Sequence, residues 1–246
     1  MNPLRIALQF LTRLPVKVTD YNATDTKSAL YWYGTVGLII GCLLHLFYNS
    51  ASWLFPNLSN SILAALIVAL WVLLTGALHL DGLADSADAW MGAKDKDSAL
   101  RIMKDPTSGP GGVTAILLDL LIKFACVQTL LAHDSSALIY IPALARSFMP
   151  VLFLQTAYSG SQGLGQPFSE GINFKPTAVQ LLLLVMLAFC IQGMSLFVVL
   201  IMMTLAYWWA RNIMLQRIDG TTGDTAGALI ELLEMTALLA VCLTLT

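Results

Sequence analysis

Six apolar runs dominate this 246-residue sequence, and each is long enough to cross about 30 Å of membrane hydrocarbon. They cover residues 33–55, 61–80, 112–132, 137–157, 178–210 and 225–246. Charged residues make up 11% of the chain, whereas about 25% is typical of soluble domains. The sequence therefore predicts an all-α, polytopic integral membrane helical bundle that forms a single domain, 1–246.

The fifth run contains 33 residues, which as one helix would extend about 50 Å, and Gln192-Gly193 offers a natural break. Split there, the chain has seven spans. The basic residues support this split, because Lys and Arg are retained on the cytoplasmic side of a membrane. With seven spans and a cytoplasmic N-terminus, eleven of the 13 basic residues lie in cytoplasmic segments. We therefore expect a multi-pass protein of the cytoplasmic membrane.

Residues 1–32 precede the first run and lack the continuous apolar core of a removable signal peptide. Leucines recur there at helical spacing, which predicts an N-terminal helix in the membrane interface. Arg5 and Arg13 could then reach lipid headgroups or a site in the protein. The connections 85–111 and 158–177 are expected in the cytoplasm, the first as an active-site loop.

Composition argues against several classes of function. The four cysteines are widely separated and form no Cys-x-x-Cys pair, which disfavours thiol catalysis and structural zinc. A formal net charge of -2 gives no basis for nucleic-acid binding. The expected partners are therefore the lipid bilayer and small-molecule ligands.

Two groups of carboxylates stand out, because an ionised Asp at the centre of a span costs about 3 kcal/mol. The groups are Asp81, Asp85 and Asp88, and Asp224, Glu231 and Glu234. Their spacing places each group on one helical face, and seven spans put both groups on the cytoplasmic side. We expect all six to converge on divalent metal, because Mg²⁺ takes carboxylate oxygens and leaves positions for phosphates. The alternative to metal binding is a solvated helix end. That alternative explains one aspartate well, but it explains three aspartates on the same helical face poorly.

The second group leaves several interpretations open. Asp224 could serve only as a helix cap or dipole partner, and Thr222 could cap the same helix. Glu231 and Glu234 lie two to three turns into an apolar span, where they would bind metal, accept a proton or pair with a cation. The cations within the spans are Lys123 and Arg146.

Arg146 is the better ligand candidate of these two cations, because its planar fork matches a phosphate or a carboxylate. Lys123 has an alternative partner in Asp119, one helical turn earlier. His79 lies about one turn before the aspartates and would contact substrate or orient Asp81.

The connection 85–111 has a composition that suits a phosphorylated ligand. It carries Lys94, Lys96, Arg101 and Lys104 and leads into a Gly-rich turn at 109–112. Backbone amides in such a turn can approach phosphate oxygens. The same basic residues equally serve as topology determinants, so both interpretations stay open.

Several segments together resemble cobalamin synthase, the adenosylcobinamide-GDP ribazoletransferase family, from end to end of the chain. The most specific are Phe10-Leu11-Thr12-Arg13-Leu14-Pro15, His79-Leu80-Asp81-Gly82-Leu83-Ala84-Asp85, Ile102-Met103-Lys104-Asp105 and Thr222-Gly223-Asp224-Thr225. A Gly163-Leu164-Gly165 loop adds to the resemblance. The chain departs from the family pattern at Ala89, where Gly is expected, and at Pro106-Thr107, where Ser-Arg is usual.

The resemblance implies an Mg²⁺-dependent phosphotransferase of cobalamin biosynthesis in the cytoplasmic (inner) membrane. The enzyme would move adenosylcobinamide phosphate from adenosylcobinamide-GDP to α-ribazole or its 5′-phosphate and release GMP. The implied metal ligands are Asp81, Asp85, Asp88 and Asp224. The implied catalytic residues are Asp88 or Glu231 as general base, with Lys104 and Arg146 balancing charge. The implied substrate contacts are His79, Arg101, Asp105, Gly109, Gly163, Gly165, Thr222 and Gly223.

Two other functions remain as alternatives. One is a lipid phosphotransferase of the CDP-alcohol type, and the other is a cation- or proton-coupled transporter that uses the buried carboxylates. The sequence leaves open a homo-oligomer or an association with other enzymes of the pathway. It also leaves open the number of metal ions, the general base, the preferred acceptor, and the roles of Glu234 and Lys123.

Overall fold

The structure is a computed structural model that describes residues 2–19, 22–159 and 173–245. The helices in these ranges are α1 (Asn2–Leu11), α2 (Ala23–Ala29), α3 (Tyr33–Leu54), α4 (Asn60–Thr75), α5 (Leu78–Gly92), α6 (Lys96–Ile102), α7 (Pro110–His133), α8 (Ala137–Gln155), α9 (Phe174–Gln192), α10 (Leu196–Ile218) and α11 (Gly223–Thr244). Short 3-10 turns, Leu30–Trp32 and Gly193–Ser195, precede α3 and join α9 to α10. Within the described ranges, strand-like pairing is limited to one bridge, between Tyr158 and Thr221. The predicted all-α class is confirmed.

Five helical segments are long and apolar enough to cross a membrane. They are Thr24–Leu54, Pro110–His133, Ala137–Gln155, Phe174–Ile218 and Gly223–Thr244. A sixth is the bent pair α4 and α5, if the pair is counted as one span. The prediction of a multi-pass membrane protein is confirmed by these segments.

The longest of these segments, with 45 residues, reverses direction at the 3-10 turn between α9 and α10. Near the start of α8, the hydroxyl of Tyr140 donates to Oε1 of Gln192 at 3.0 Å. Just beyond the other end of α8, Arg211 Nε donates to Oγ1 of Thr156 at 2.9 Å. Gln192 and Arg211 contact opposite ends of α8, so α10 runs parallel to α8. Gly37 of α3 lies against Pro142 and Gly41 against Ile139, so α3 is antiparallel to α8, and α9 starts where the amide of Asn173 donates to the hydroxyl of Tyr31, just before α3. α9 and α10 therefore run antiparallel. The break predicted at Gln192-Gly193 is therefore correct, and it divides the longest apolar segment into two passes.

The second apolar run is not one helix. α4 ends at Thr75, and both Gly76 and Ala77 then adopt left-handed backbone conformations, with φ of 62° and 58°. A right-handed helix cannot continue through two such residues, so α5 leaves α4 at 88°. The expectation that the aspartate helix continues the second span was wrong. Instead, α5 turns away from α4 at this bend and packs against the start of α11 and the start of α7.

Glycines allow the spans to approach each other closely. A Cβ atom on Gly37 or Gly41 of α3 would clash with backbone carbonyl groups of α8, at Pro142 and Ile139. In lipid, helix association depends on such close van der Waals packing rather than on a hydrophobic driving force. The contact between α3 and α8 therefore stabilises the helical bundle, which also contains α5 and α11.

The two ends of α11 lie on opposite faces of the bundle. Asp224 is in its first turn, and its 22 residues extend about 33 Å before Thr244. Because the basic residues predict a cytoplasmic location for the Asp224 end, we expect a C-terminus outside the cytoplasm. Alkaline phosphatase fused after residue 246 should be active, whereas green fluorescent protein at the same place should be dark.

The control for this topology is the same pair of reporters inserted after Lys104, between α6 and α7. There we expect the opposite pattern, with fluorescence and no phosphatase activity. A C-terminal reporter that is active only in the cytosol would contradict the seven-pass arrangement.

Candidate functional site

Three of the predicted aspartates lie on α5, and the fourth lies on α11 where the two helices cross. A Cβ atom on Gly82 of α5 would come within 2.5 Å of the carbonyl oxygen of Asp224. Farther along α11, Gly227 packs against the backbone of His79. A Cβ atom at Gly227 would meet His79 at ordinary van der Waals distance, whereas one at Gly82 would clash, so Gly82 sets how closely α5 and α11 approach.

This crossing brings the four aspartates into electrostatic contact. Asp81 is exposed, whereas Asp85, Asp88 and Asp224 are half-buried. Burial raises the pKa of Asp85 to about 6, and the negative charges of Asp81, Asp224 and Asp88 act in the same direction. The structure therefore assembles a cluster of mutually repelling carboxylates at one end of the bundle.

The aspartate cluster fits a divalent cation only in part. In the portion of the chain that the structure describes, no three His, Cys, Asp or Glu side chains are close enough together to hold a metal ion. A closed protein cage for metal is therefore not preformed. Mg²⁺ commonly uses one or two carboxylates and completes its shell with water and substrate phosphates. Oxygen donors that already repel each other suit that type of binding.

Asp88 has a defined structural partner at the start of α7. Its carboxylate oxygens accept hydrogen bonds from the backbone amides of Gly109 at 2.6 Å and Gly112 at 2.9 Å. A negative charge at a helix N-terminus is favourable because it meets the positive end of the helix dipole. The Gly-rich turn thus surrounds Asp88, and these two amides are already engaged rather than open to phosphate.

Thr222 caps α11, as one of the sequence alternatives predicts. Its hydroxyl oxygen accepts from the amide of Thr225, and the Thr225 hydroxyl accepts from the amide of Thr222. This reciprocal capping satisfies the first amides of α11 with Thr222 and Thr225, and the Asp224 carboxylate lies in the same first turn. Gly223 is exposed beside it, in the first turn of the helix.

Glu231 and Glu234 belong to a second, buried group of charges. Lys123 contacts Glu231, lies 3.0 Å from Oε2 of Glu234, and lies 3.3 Å from Oδ2 of Asp119. Arg146 Nη1 donates to Oε1 of Glu234 at 2.5 Å. All five side chains are at most 5% exposed. We call these five residues the ion cluster.

The ion cluster corrects one expectation from the sequence. The six carboxylates do not converge as one group, because Lys123 of α7 and Arg146 of α8 pair with Glu231 and Glu234 inside the bundle. Of the roles left open for the two glutamates, the structure shows cation pairing. Lys123 contacts its neighbour Asp119 as well, so that alternative is also realised.

His79 connects α5 to the ion cluster. It is buried, and its Nδ1 lies 3.4 Å from Nη2 of Arg146 and 3.9 Å from Oε1 of Glu231. Its Nε2 has no hydrogen-bond partner among the described residues. Since Asp81 follows His79 by two residues on α5, the contact of His79 with Arg146 links the interior to the start of the aspartate helix.

The other predicted contacts surround the aspartate cluster or lie outside the described ranges. Arg101 is exposed on α6, and Lys104 and Asp105 are exposed just after it. Asp105 accepts from the amide and the hydroxyl of Thr107, at 3.0 and 2.6 Å, which shapes the turn that follows. Gly163 and Gly165 lie outside the described residues.

Sequence reasoning missed the partner that covers Lys123 from the side of α4. The Nζ atom of Lys123 lies 5.4 Å from the ring centroid of Trp71 on α4, and this cation–π contact adds to the ion pairs. No spacing rule connects residues on separate helices, so the sequence contains no signal for this contact. The pairing of Lys123 with Asp119, in contrast, is visible as an offset of four.

Comparison with known proteins identifies similar chains over the whole length. A family model described as cobalamin-5-phosphate synthase matches residues 3–242. A curated protein of Pseudomonas fluorescens (strain Pf0-1), named adenosylcobinamide-GDP ribazoletransferase, is 43% identical over 246 residues, which cover 99% of this chain and 100% of that protein. A protein of the same name from Pseudomonas putida (strain F1) is 44% identical over 246 residues, 99% of each chain. No solved structure matches.

The ion cluster can be tested with Glu234→Gln, which keeps the size of the side chain but removes the charge that Lys123 and Arg146 share. Breaking a buried ion pair on one side destabilises a fold by about 3–5 kcal/mol. We expect the thermal unfolding midpoint in detergent to fall by about 6 °C or more. Asp97→Asn, at an exposed carboxylate on α6, is the matched control. Equal midpoints for the two variants would contradict the structural role of the cluster.

Proposed function

Because this chain belongs to the cobalamin-5-phosphate synthase family, we propose that it performs the transfer for which its relatives are named. Adenosylcobinamide phosphate would pass from adenosylcobinamide-GDP to the ribose hydroxyl of α-ribazole or α-ribazole 5′-phosphate, and GMP would leave. The carrying observation is the aspartate cluster on α5 and α11, in a chain that matches the family over residues 3–242.

The aspartate cluster suits this chemistry because phosphoryl transfer depends mainly on positioning and on neutralising charge. Asp81, Asp85 and Asp224 would hold Mg²⁺, with Asp88 beside them. Mg²⁺ held there would supply positive charge that stabilises the negative charge developing on the GMP leaving group. The α5–α11 crossing holds Asp224 against Gly82, so the carboxylates of both helices would reach the same diphosphate.

Positive charge for the substrate would come from outside the bundle. Arg101 and Lys104 lie at the end of α6, close in sequence to the turn that holds Asp88. Arg146 is fully buried and engaged with Glu234, so it would act as a positioning residue through His79 rather than touch the phosphates. Of the other proposed substrate contacts, Gly223 is exposed beside Asp224 and Asp105 is exposed after α6. The amide of Gly109 is held by Asp88 and Thr222 is buried as the cap of α11, so these two would shape the site rather than donate to phosphate.

We further propose that the aspartate cluster faces the cytoplasm of a cell with an inner membrane. The same end of the bundle carries the connection 92–110, which contains Lys94, Lys96, Arg101 and Lys104. Positive residues beside spans are retained in the cytoplasm, which supports this orientation. A soluble nucleotide substrate would then meet the site without crossing the bilayer.

The activity is testable with purified protein in detergent. GMP should be released from adenosylcobinamide-GDP only when α-ribazole, or its 5′-phosphate, and Mg²⁺ are both present. Asp81→Asn and Asp224→Asn should lower this release at least about a hundredfold, because each removes charge that the cation needs. Asp97→Asn, which changes an exposed carboxylate on α6, should release GMP at the wild-type rate. If either variant released GMP at the wild-type rate, the substituted aspartate would not belong to the site.

Asp88 would act either as the general base or as a structural acceptor for the amides at the start of α7, and the variant Asp88→Asn separates these two roles. If Asp88 were the general base, Asp88→Asn would slow GMP release by about 10²–10⁴-fold. Because both of its oxygens already accept backbone amides, we expect a smaller loss of rate together with a lower unfolding midpoint. Asp88→Ala, which removes both acceptors, should lower the midpoint further. A hundredfold slower Asp88→Asn with an unchanged midpoint would establish it as the base.

A further inference from the structure

The N-terminal helix is part of the protein core as well as an interfacial segment. Ile6, Ala7 and Leu11 of α1 are buried, and the ring of Phe10 stacks on that of Tyr33 with centroids 6.2 Å apart. A helix held only by lipid would not bury these side chains against protein. The residues that follow α1 are therefore placed by the fold, at the same end of the bundle as α5.

Arg13 is the residue at which this segment meets the bend between α4 and α5. Its backbone amide donates to the carbonyl oxygen of Leu74 at 2.7 Å. One residue earlier, the hydroxyl of Thr12 donates to the carbonyl oxygen of Leu8 at 2.6 Å, and Thr12 is buried. These bonds fix the backbone of Arg13 beside the last turn of α4.

The side chain of Arg13 lies directly on Gly76. A Cβ atom at Gly76 would clash with Nε, and it would lie 2.7 and 2.8 Å from Cγ and Cδ of Arg13. Gly76 also has φ of 62°, a conformation that glycine adopts without strain. The Arg13 side chain therefore packs on the bend itself, five residues before Asp81 in the sequence.

The structure leaves the Arg13 side chain without a partner among the described residues. Lys123 and Arg146 are both neutralised by buried carboxylates, whereas Arg13 is exposed and forms no ion pair or side-chain hydrogen bond in the described ranges. An ordered stem with an unpaired guanidinium, at the bend from which α5 leads to Asp81, is arranged to bind an anion.

We propose that Arg13 binds a phosphate group of the nucleotide-bearing substrate and is a substrate-binding residue of the site. The inference rests on the proposed function for its substrate, a nucleoside diphosphate ester. Arginine suits this role because its planar fork donates two parallel hydrogen bonds to phosphate oxygens. Lysine keeps the positive charge but lacks the planar fork, so we expect Arg13→Lys to retain part of the phosphate binding that Arg13→Ala loses.

A lipid headgroup offers the same phosphate chemistry at a membrane interface, so the test separates the two sources. Binding of GDP and of guanosine is measured, in the presence of Mg²⁺, on the whole protein in a maltoside detergent that contains no phosphate. Wild type is compared with Arg13→Ala, Arg13→Lys and Lys17→Ala. Lys17 is an exposed cation in the same segment, away from the bend, and its change is the matched control for charge.

We expect Arg13→Ala to weaken GDP binding about tenfold or more, with Arg13→Lys between it and wild type. Lys17→Ala should bind GDP like wild type, and guanosine binding should be equal in all four proteins. Unfolding midpoints within about 2 °C of wild type would show that the variants fold. These results together would establish Arg13 as a phosphate contact.

The inference would be overturned if wild-type protein did not bind GDP, or if wild type and Arg13→Ala bound GDP with equal affinity. It would also be overturned if Arg13→Ala bound GDP normally in detergent and showed a defect only in vesicles rich in phosphatidylglycerol. The last would assign Arg13 to lipid. If wild type releases no GMP from adenosylcobinamide-GDP but binds GDP through Arg13, the proposed function fails while the phosphate contact stands.

Discussion

The contact between α5 and α11 is the constraint on which the candidate site depends. Gly82 lies against the backbone of Asp224, and Gly227 lies against that of His79, so the two helices touch without intervening side chains. A methyl group at Gly82 would force α5 away from α11 and separate Asp81 and Asp85 from Asp224. Close backbone approach thus holds like charges together, an arrangement that is favourable only if a cation and an anionic substrate compensate the repulsion.

The ion cluster supports this contact from inside the bundle. Lys123 of α7, Arg146 of α8 and Glu234 of α11 satisfy one another in a region where an unpaired charge is costly. His79 joins α5 to the same cluster through Arg146. Four helices are therefore tied together one layer below the aspartates. The interior charges maintain the geometry, and Asp81, Asp85 and Asp224 take no part in these ion pairs.

The sequence predicted the break in its longest apolar run but not the path of the helix that carries the aspartates. The 33-residue run was too long for one span, and the basic residues required a reversal, which the structure places at Gly193. Hydropathy contains no comparable signal for the bend at Gly76 and Ala77, because residues 61–80 remain apolar through it. Their two left-handed conformations turn α5 by 88°, and only the packing of Arg13 on Gly76 shows why a glycine is needed there.

The sequence by itself determined that the chain is a helical membrane protein and which carboxylates are too costly to leave without partners. Periodicity and hydropathy are local properties, and they suffice for both conclusions. Only the tertiary structure decided which charges pair, because Lys123 and Arg146 reach Glu231 and Glu234 across helices far apart in the chain. It likewise placed Asp88 on the amides of Gly109 and Gly112 and kept Asp81, Asp85 and Asp224 outside the ion cluster.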